Sequence, residues 1–248
     1  MSHIHINVEN LCFSYEKEQP ILENISFVAK ENDSIGIIGA NGVGKSTLLK
    51  LLVGLNLNYE GSIRIESIPV DKNTLSIIRE KIGYVFQDSD NQLFMSNVYE
   101  DISFAPRNYG LSEDEVEKRV ENALNMVHIN NLKNKKIHKL SGGEKKLVSI
   151  ATIFSMTPDI VLMDEPSIAL DPKNRRNLIN ILNEFQHLKI IASHDLDMIL
   201  ETCNRTILMS DGKIIKEGNT KDILTDKKLL EANNLELPFC LQENNIKN

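Results

Sequence analysis

A chain of 248 residues, 41% hydrophobic and 25% charged, has the composition of a soluble globular protein. It is long enough for one large α/β domain or two closely joined subdomains. The net charge of -7, from 28 basic and 35 acidic residues, argues against general nucleic-acid binding, which needs a basic face. Cys12, Cys203 and Cys240 are odd in number and lack metal-site spacing, so they read as reduced thiols of a cytosolic protein. MSHIHINVEN has no basic region followed by an apolar run, so no signal peptide is expected. No stretch approaches the roughly 18 apolar residues of a membrane helix; a pore would have to come from other chains.

In chain order, Ile4, Ile6 and Val8, then Leu11 and Phe13, alternate with period two and predict an edge region of strands. ILENISFVAK (21–30) is a second such segment. SIGIIG (34–39) predicts a short buried strand, followed by a glycine-rich turn and the helical STLLKLLVG; GSIRIE (61–66) and KIGYVFQ (81–87) predict further strands. Residues 88–157 then read as mainly helical. Within them, Ser112 and Glu115 predict a capping box, and Val116, Val120, Leu124 and Val127 recur at helical spacing. Strand patterns resume at DIVLMDEP (159–166), KIIASH (189–194) and RTILMS (205–210), where Asp211-Gly212 predicts a hairpin into KIIKEG. The last residues are polar and expected to fray. His3 and His5 read as exposed strand residues and Lys133, Lys135 and Lys136 as a solvated loop, in preference to a metal site or a nucleic-acid patch.

GANGVGKST comprises Gly39, Ala40, Asn41, Gly42, Val43, Gly44, Lys45, Ser46 and Thr47. It matches G-x-x-x-x-G-K-[ST] between a predicted strand and a predicted helix, the context of a phosphate loop. The glycines let backbone N–H groups turn inward toward phosphates at a helix N-terminus, Lys45 adds a point charge, and Ser46 offers a hydroxyl to Mg²⁺. The alternative is a glycine-rich turn with no ligand. Asp164 and Glu165 fall at the C-terminal end of the apolar run IVLM, the edge where open α/β sheets bind ligands. Asp164 is expected to hold Mg²⁺ and Glu165 to polarise an attacking water; a solvated strand-end pair is the alternative, and the phosphate loop upstream favours the site.

LSGGE (140–144) precedes that acidic strand, and Ser141, Gly142 and Gly143 open a predicted helix whose bare N-terminus would suit an anion. With these motifs in this order, the chain resembles ABC ATPases over nearly its whole length. The resemblance implies an α/β fold: a P-loop NTPase cassette with a RecA-like core (about 1–87 and 158–225), an antiparallel β subdomain, an inserted helical signature subdomain (about 88–157) and a short tail (226–248), together one domain over 1–248. It implies ATP and Mg²⁺ as ligands. It also implies a head-to-tail pair of cassettes, homodimer or paralogous heterodimer, in which the signature loop meets the γ-phosphate of ATP held by the other subunit. Gln87 resembles the Q-loop glutamine reaching Mg²⁺ or water, Asp171 in SIALDP the D-loop aspartate, His194 in IIASHD the switch histidine, and Tyr15 in CFSYE the aromatic that stacks on adenine. A lone Gln, Asp or His is more often structural, and Tyr15 could instead belong to the core; order and spacing favour the site. Glu144 stands where the family often has Gln.

DNA-repair relatives separate the two nucleotide motifs with long coiled coils; here about 100 residues without sustained heptads lie between them. One cassette without a membrane helix is more typical of importers than of exporters. QDSDNQLF (87–94) and the following VYEDISFAPRNYG resemble energy-coupling factor ATPases. That likeness implies uptake of cobalt, nickel or a vitamin and a place as a peripheral protein on the cytoplasmic face of the membrane. It also implies a transmembrane coupling subunit seated on the segment after Gln87, a substrate-binding membrane subunit, and no nucleic acid. Asp101, expected on a helix surface, would meet a partner arginine. The alternative is a soluble non-transport ABC ATPase acting on nucleic acid or as a regulator.

Overall fold

The structure, a computed structural model, describes residues 4–16 and 19–242, so His3 lies outside the described residues. Its centre is a six-stranded sheet of order β10-β9-β3-β8-β7-β6. The strands are β3 (Ser34–Ile38), β6 (Ile82–Val85), β7 (Ile160–Asp164), β8 (Leu188–Ala192), β9 (Arg205–Ser210) and β10 (Lys213–Asn219). All neighbours are parallel except the β9–β10 hairpin. That hairpin turns on Asp211 and Gly212, whose φ values of 46° and 72° are the positive pair a two-residue turn requires.

Parallel strands covered on both faces need near-continuous apolar runs, and IVLMD and LKIIA are buried throughout. Alternation still divides their cargo. Ile160 and Leu162 face one core with α1 (Lys45–Leu52) and α2 (Leu75–Lys81), while Val161 and Met163 face the other with α5 (Gly142–Phe154), α6 (Pro172–Glu184) and α7 (Leu196–Thr202). The first core is roofed by an antiparallel sheet of order β2-β1-β4-β5, built from β1 (Ile4–Glu16), β2 (Gln19–Lys30), β4 (Glu60–Ile65) and β5 (Ile68–Pro69).

Several sequence expectations are corrected here. β1 is an inner strand, paired on both sides, and its alternation breaks because an extra residue enters between the Val8–Phe27 and Leu11–Ile25 pairs. Asn10 takes φ 50° in this bulge, and its N–H donates to Ser26 Oγ at 2.8 Å. β6 ends at Val85, so Gln87 lies two residues past the strand and is exposed. Between β6 and β7 run α3 (Val98–Asn108), α4 (Glu113–Met126) and α5. On α4 the capping box is half formed: Ser112 Oγ accepts from Glu115 N at 3.4 Å, but the Glu115 carboxylate turns to Arg119 and Lys118. Asp101 on α3 is buried and points inward, accepting from the N–H groups of Phe94 and Met95 at 3.3 and 3.1 Å. Among the described residues no helix is long and apolar enough to cross a membrane.

Candidate active site

Four of the predicted segments leave the C-terminal edge of the large sheet side by side. In register, Ile37 of β3 and Asp164 of β7 both lie opposite Ala192 of β8, and Val85 of β6 lies opposite Met163. The glycine loop after β3 therefore neighbours His194 after β8, which neighbours Glu165 after β7, which neighbours Gln87 after β6.

In the loop, Gly39, Gly42 and Gly44 have φ values of 151°, 83° and 102°. Two of them also have no room for a side chain. A Cβ on Gly39 would sit 2.3 Å from the Met209 carbonyl oxygen, and one on Gly44 would sit 2.6 Å from Leu22 Cδ2. Gly39→Ala should therefore cost about 2–3 kcal/mol of stability, because a backbone carbonyl has to move; urea unfolding measures it. Ala40 is half-buried and Asn41 exposed, while the Val43 side chain packs toward the roofed core. Lys45 opens α1 and is 7% exposed, its Nζ donating to the carbonyls of Gly39 and Ala40 at 2.8 and 3.0 Å. Burial pushes its ammonium below the ordinary lysine value, against the opposing fields of Glu165 and Asp164.

Ser46 Oγ donates to Asp164 Oδ1 at 2.8 Å, and Tyr84 OH donates to Oδ2 at 3.3 Å. Asp164 is 2% exposed and its neighbour Glu165 is 5% exposed. Burial holds the Asp164 carboxyl above the usual range, Glu165 adds to this, and the Ser46 donor and Lys50 oppose it. Two adjacent buried carboxylates with one shifted upward are a donor set that a divalent cation would relieve. Glu165 takes φ 47°, a left-handed conformation that costs a non-glycine residue free energy. Its N–H donates to Ala192 O at 2.9 Å, and its Oε2 accepts from Ser193 Oγ at 3.0 Å and from His194 N at 3.3 Å. The exposed His194 ring places Nδ1 2.8 Å from the same oxygen.

A cavity of about 440 Å³ brings Gln87 and Gly142 together with Asp164, beside Lys50, Lys145 and Lys146. The N-terminus of α5 is not bare as expected. Ser141 Oγ accepts from Glu144 N at 3.2 Å and Glu144 accepts from Ser141 N at 2.7 Å, a complete capping box. Gly143 lies against the backbone of Ala169. Asp171 caps α6, accepting from Asn174 N at 2.8 Å, and stays exposed. Tyr15 is 59% exposed and so is not a core residue; its OH is 3.5 Å from Thr47 Oγ1, beside the glycine loop.

Residues 22–168 match the ABC transporter family. The chain belongs to that family. It is 46% identical over 242 residues to an ABC transporter ATP-binding protein of Geobacter sulfurreducens, covering 98% of this chain and 97% of the other. It is 38% identical over 243 residues to the energy-coupling factor transporter ATP-binding protein EcfA of Carboxydothermus hydrogenoformans, covering 97% of this chain and 90% of the other. The solved structure of cbiO1 from Clostridium perfringens, part of the ABC transporter complex cbiONQ, superposes with a TM-score of 0.82 at 38% identity over 97% of this chain and 99% of that one. ABC cassettes bind and hydrolyse ATP, dimerise and work with transmembrane subunits, and this cassette is an ATP hydrolase.

Three residues of this ABC cassette were missed by sequence reasoning. Ser193 is fully buried and holds Glu165; Tyr84 holds Asp164; Lys146 lines the cavity. Ser193 and Tyr84 had a faint signal, being polar groups inside the apolar runs KIIASH and IGYVF. Burial pushes the Tyr84 phenol well above its ordinary value, aided by Asp164, so it stays a donor.

Proposed function

We propose that this cassette powers an importer of the energy-coupling factor type, taking up a metal ion such as cobalt or nickel, or a vitamin, through separate membrane subunits. The observation that carries this reading is a groove beside α3, lined by Arg79, Glu80, Phe94, Phe104 and Tyr109. Phe94 is 64% exposed and stacks edge-on against Phe104 at 4.8 Å. Large apolar rings left in water at one place mark a contact surface. Asp101 shapes its wall by holding the Phe94 and Met95 N–H groups, and so does not reach out to a partner. The likeness to EcfA and to cbiO1 supports the same reading.

In this reading the protein sits peripherally on the cytoplasmic face of the membrane. Two cassettes close on two ATP molecules, Ser141–Gly143 of one facing the nucleotide on the other. Lys45 and the loop N–H groups hold the phosphates, Tyr15 stacks on the base, His194 contacts the γ-phosphate and supports hydrolysis, and Asp171 links the two sites across the closed interface. Ser46, Asp164 and Gln87 would hold Mg²⁺, which supplies charge neutralisation to the phosphates. Glu165, fixed by Ser193, takes the proton of the attacking water. Closure moves the groove and with it the coupling helices of the membrane subunit.

The test is co-purification from detergent-solubilised membranes. The intact cassette should come down with an integral membrane partner, and the Phe94→Ala/Phe104→Ala double variant should lose it while ATP binding stays within about threefold of the parent. Tight nucleic-acid binding with no membrane partner would overturn the importer reading. Uptake assays with cobalt, nickel and vitamins then separate the cargoes.

A further inference from the structure

Lys146 lines the cavity and has no part in the reading above. It sits on the second turn of α5 and is 2% exposed, among the most deeply buried large side chains in the protein. A buried ammonium is costly unless paired, yet among the described residues it makes no ion pair. Its Nζ instead donates to two consecutive carbonyls, Phe86 at 2.9 Å and Gln87 at 2.6 Å, where the chain leaves β6. Burial pushes its ammonium down to about 8, against the fields of Asp164, Asp88 and Glu165. A site so unfavourable for charge would be filled more cheaply by Leu or Met if packing were the only requirement.

The surrounding ties point the same way. Gln92 Oε1 accepts from Phe86 N at 3.2 Å, and its Nε2 donates to Ser149 O at 2.6 Å and Thr152 Oγ1 at 2.9 Å. Lys145 pairs with Asp90 at 2.6 Å. Both backbone polar groups of Phe86 are thus held by groups on or bonded to α5. Among these ties, Lys146 alone grips Gln87 itself. α5 starts at Gly142 and Gly143, so the same rigid helix carries the signature glycines at one end and the grip on Gln87 one turn later.

We propose that Lys146 is a positioning residue that makes the segment from Phe86 to Gln92 move as one body with α5, so that displacement of the signature end changes where Gln87 stands in the ATP site. The proposal rests on the reading of Gln87 as a group of that site. It concerns this chain's own residues and needs no membrane partner.

The experiment compares Lys146→Met, Lys146→Gln and Gln87→Ala in the full chain. ATP turnover, ATP affinity by calorimetry and amide hydrogen exchange over residues 87–91 are measured for each. Lys146→Met keeps the length and removes the donors; turnover should fall about tenfold, ATP affinity should stay within about threefold, and exchange over 87–91 should quicken about tenfold. Lys146→Gln keeps two N–H donors and should return exchange and turnover to within about threefold of the parent. A purely structural role predicts instead that both variants lose melting temperature, affinity and turnover together, and that outcome overturns the proposal. So does a fall in turnover with unchanged exchange, or faster exchange with unchanged turnover. Slow Gln87→Ala beside wild-type turnover in Lys146→Met overturns the Lys146 assignment alone. Wild-type turnover in Gln87→Ala overturns the reading of Gln87 beneath it.

Discussion

Glu165→Gln lowers ATP turnover by about 10²- to 10³-fold, the loss expected when a general base is replaced by its uncharged isostere. The fold should tolerate the change well. The amide oxygen of Gln can still accept the Ser193 hydroxyl that now donates to Oε2 at 3.0 Å. Removing one of two adjacent buried carboxylates also relieves Asp164, whose carboxyl Glu165 helps to hold above the usual range. The melting temperature should therefore stay level or rise. With hydrolysis blocked and binding intact, the ATP-loaded protein should run as a dimer in size-exclusion chromatography. Turnover close to wild type would remove Glu165 from its assigned role. Dimerisation without ATP would remove nucleotide from the interface.

Lys45→Ala loses ATP affinity by about 10²-fold, a size set by charge-assisted hydrogen bonds of about 1.5–3 kcal/mol each at about 1.4 kcal/mol per tenfold. Nζ donates to the Gly39 and Ala40 carbonyls, which orients it at the mouth of the loop. Burial disfavours its charge, and Glu165 and Asp164 only partly compensate. The residue is thus a poor stabiliser of the protein by itself. Lys45→Met, which keeps the packing, should be as stable as the parent and lose affinity like Lys45→Ala. Unchanged ATP binding by calorimetry in both would contradict the phosphate-loop reading. The two main variants separate cleanly: one binds and does not turn over, the other does not bind.

Local motifs were legible in the sequence because their physics is local. The nine residues from Gly39 to Thr47 build the loop from their own backbone, and the positive φ values of the three glycines follow from the motif. β7 and β8 are legible because strands buried on both faces must be apolar, whereas the N-terminus of α5, expected bare, is capped by Ser141 and Glu144 across three residues. The half-formed box at Ser112 and the bulge at Asn10 were not legible, since each depends on a neighbour, Arg119 or Ser26, competing for the same groups. Asp101 was misread for the same reason: a carboxylate on an amphipathic helix reads as exposed until the chain folds back to offer it two N–H groups.

The sequence by itself determined that this protein handles ATP, through segments arranged 39, 87, 141, 165 and 194 along the chain. The tertiary structure alone decided their spatial order, glycine loop, His194, Glu165, Gln87, because the strands enter the sheet as β3-β8-β7-β6. The Ser46–Asp164 bond joins residues 118 apart, and the Lys146–Gln87 bond residues 59 apart. No periodicity or propensity encodes a contact of that kind. It exists only once crossovers bring distant strand ends to one edge and exclude water there, making a buried lysine, serine or tyrosine hydroxyl worth holding in place.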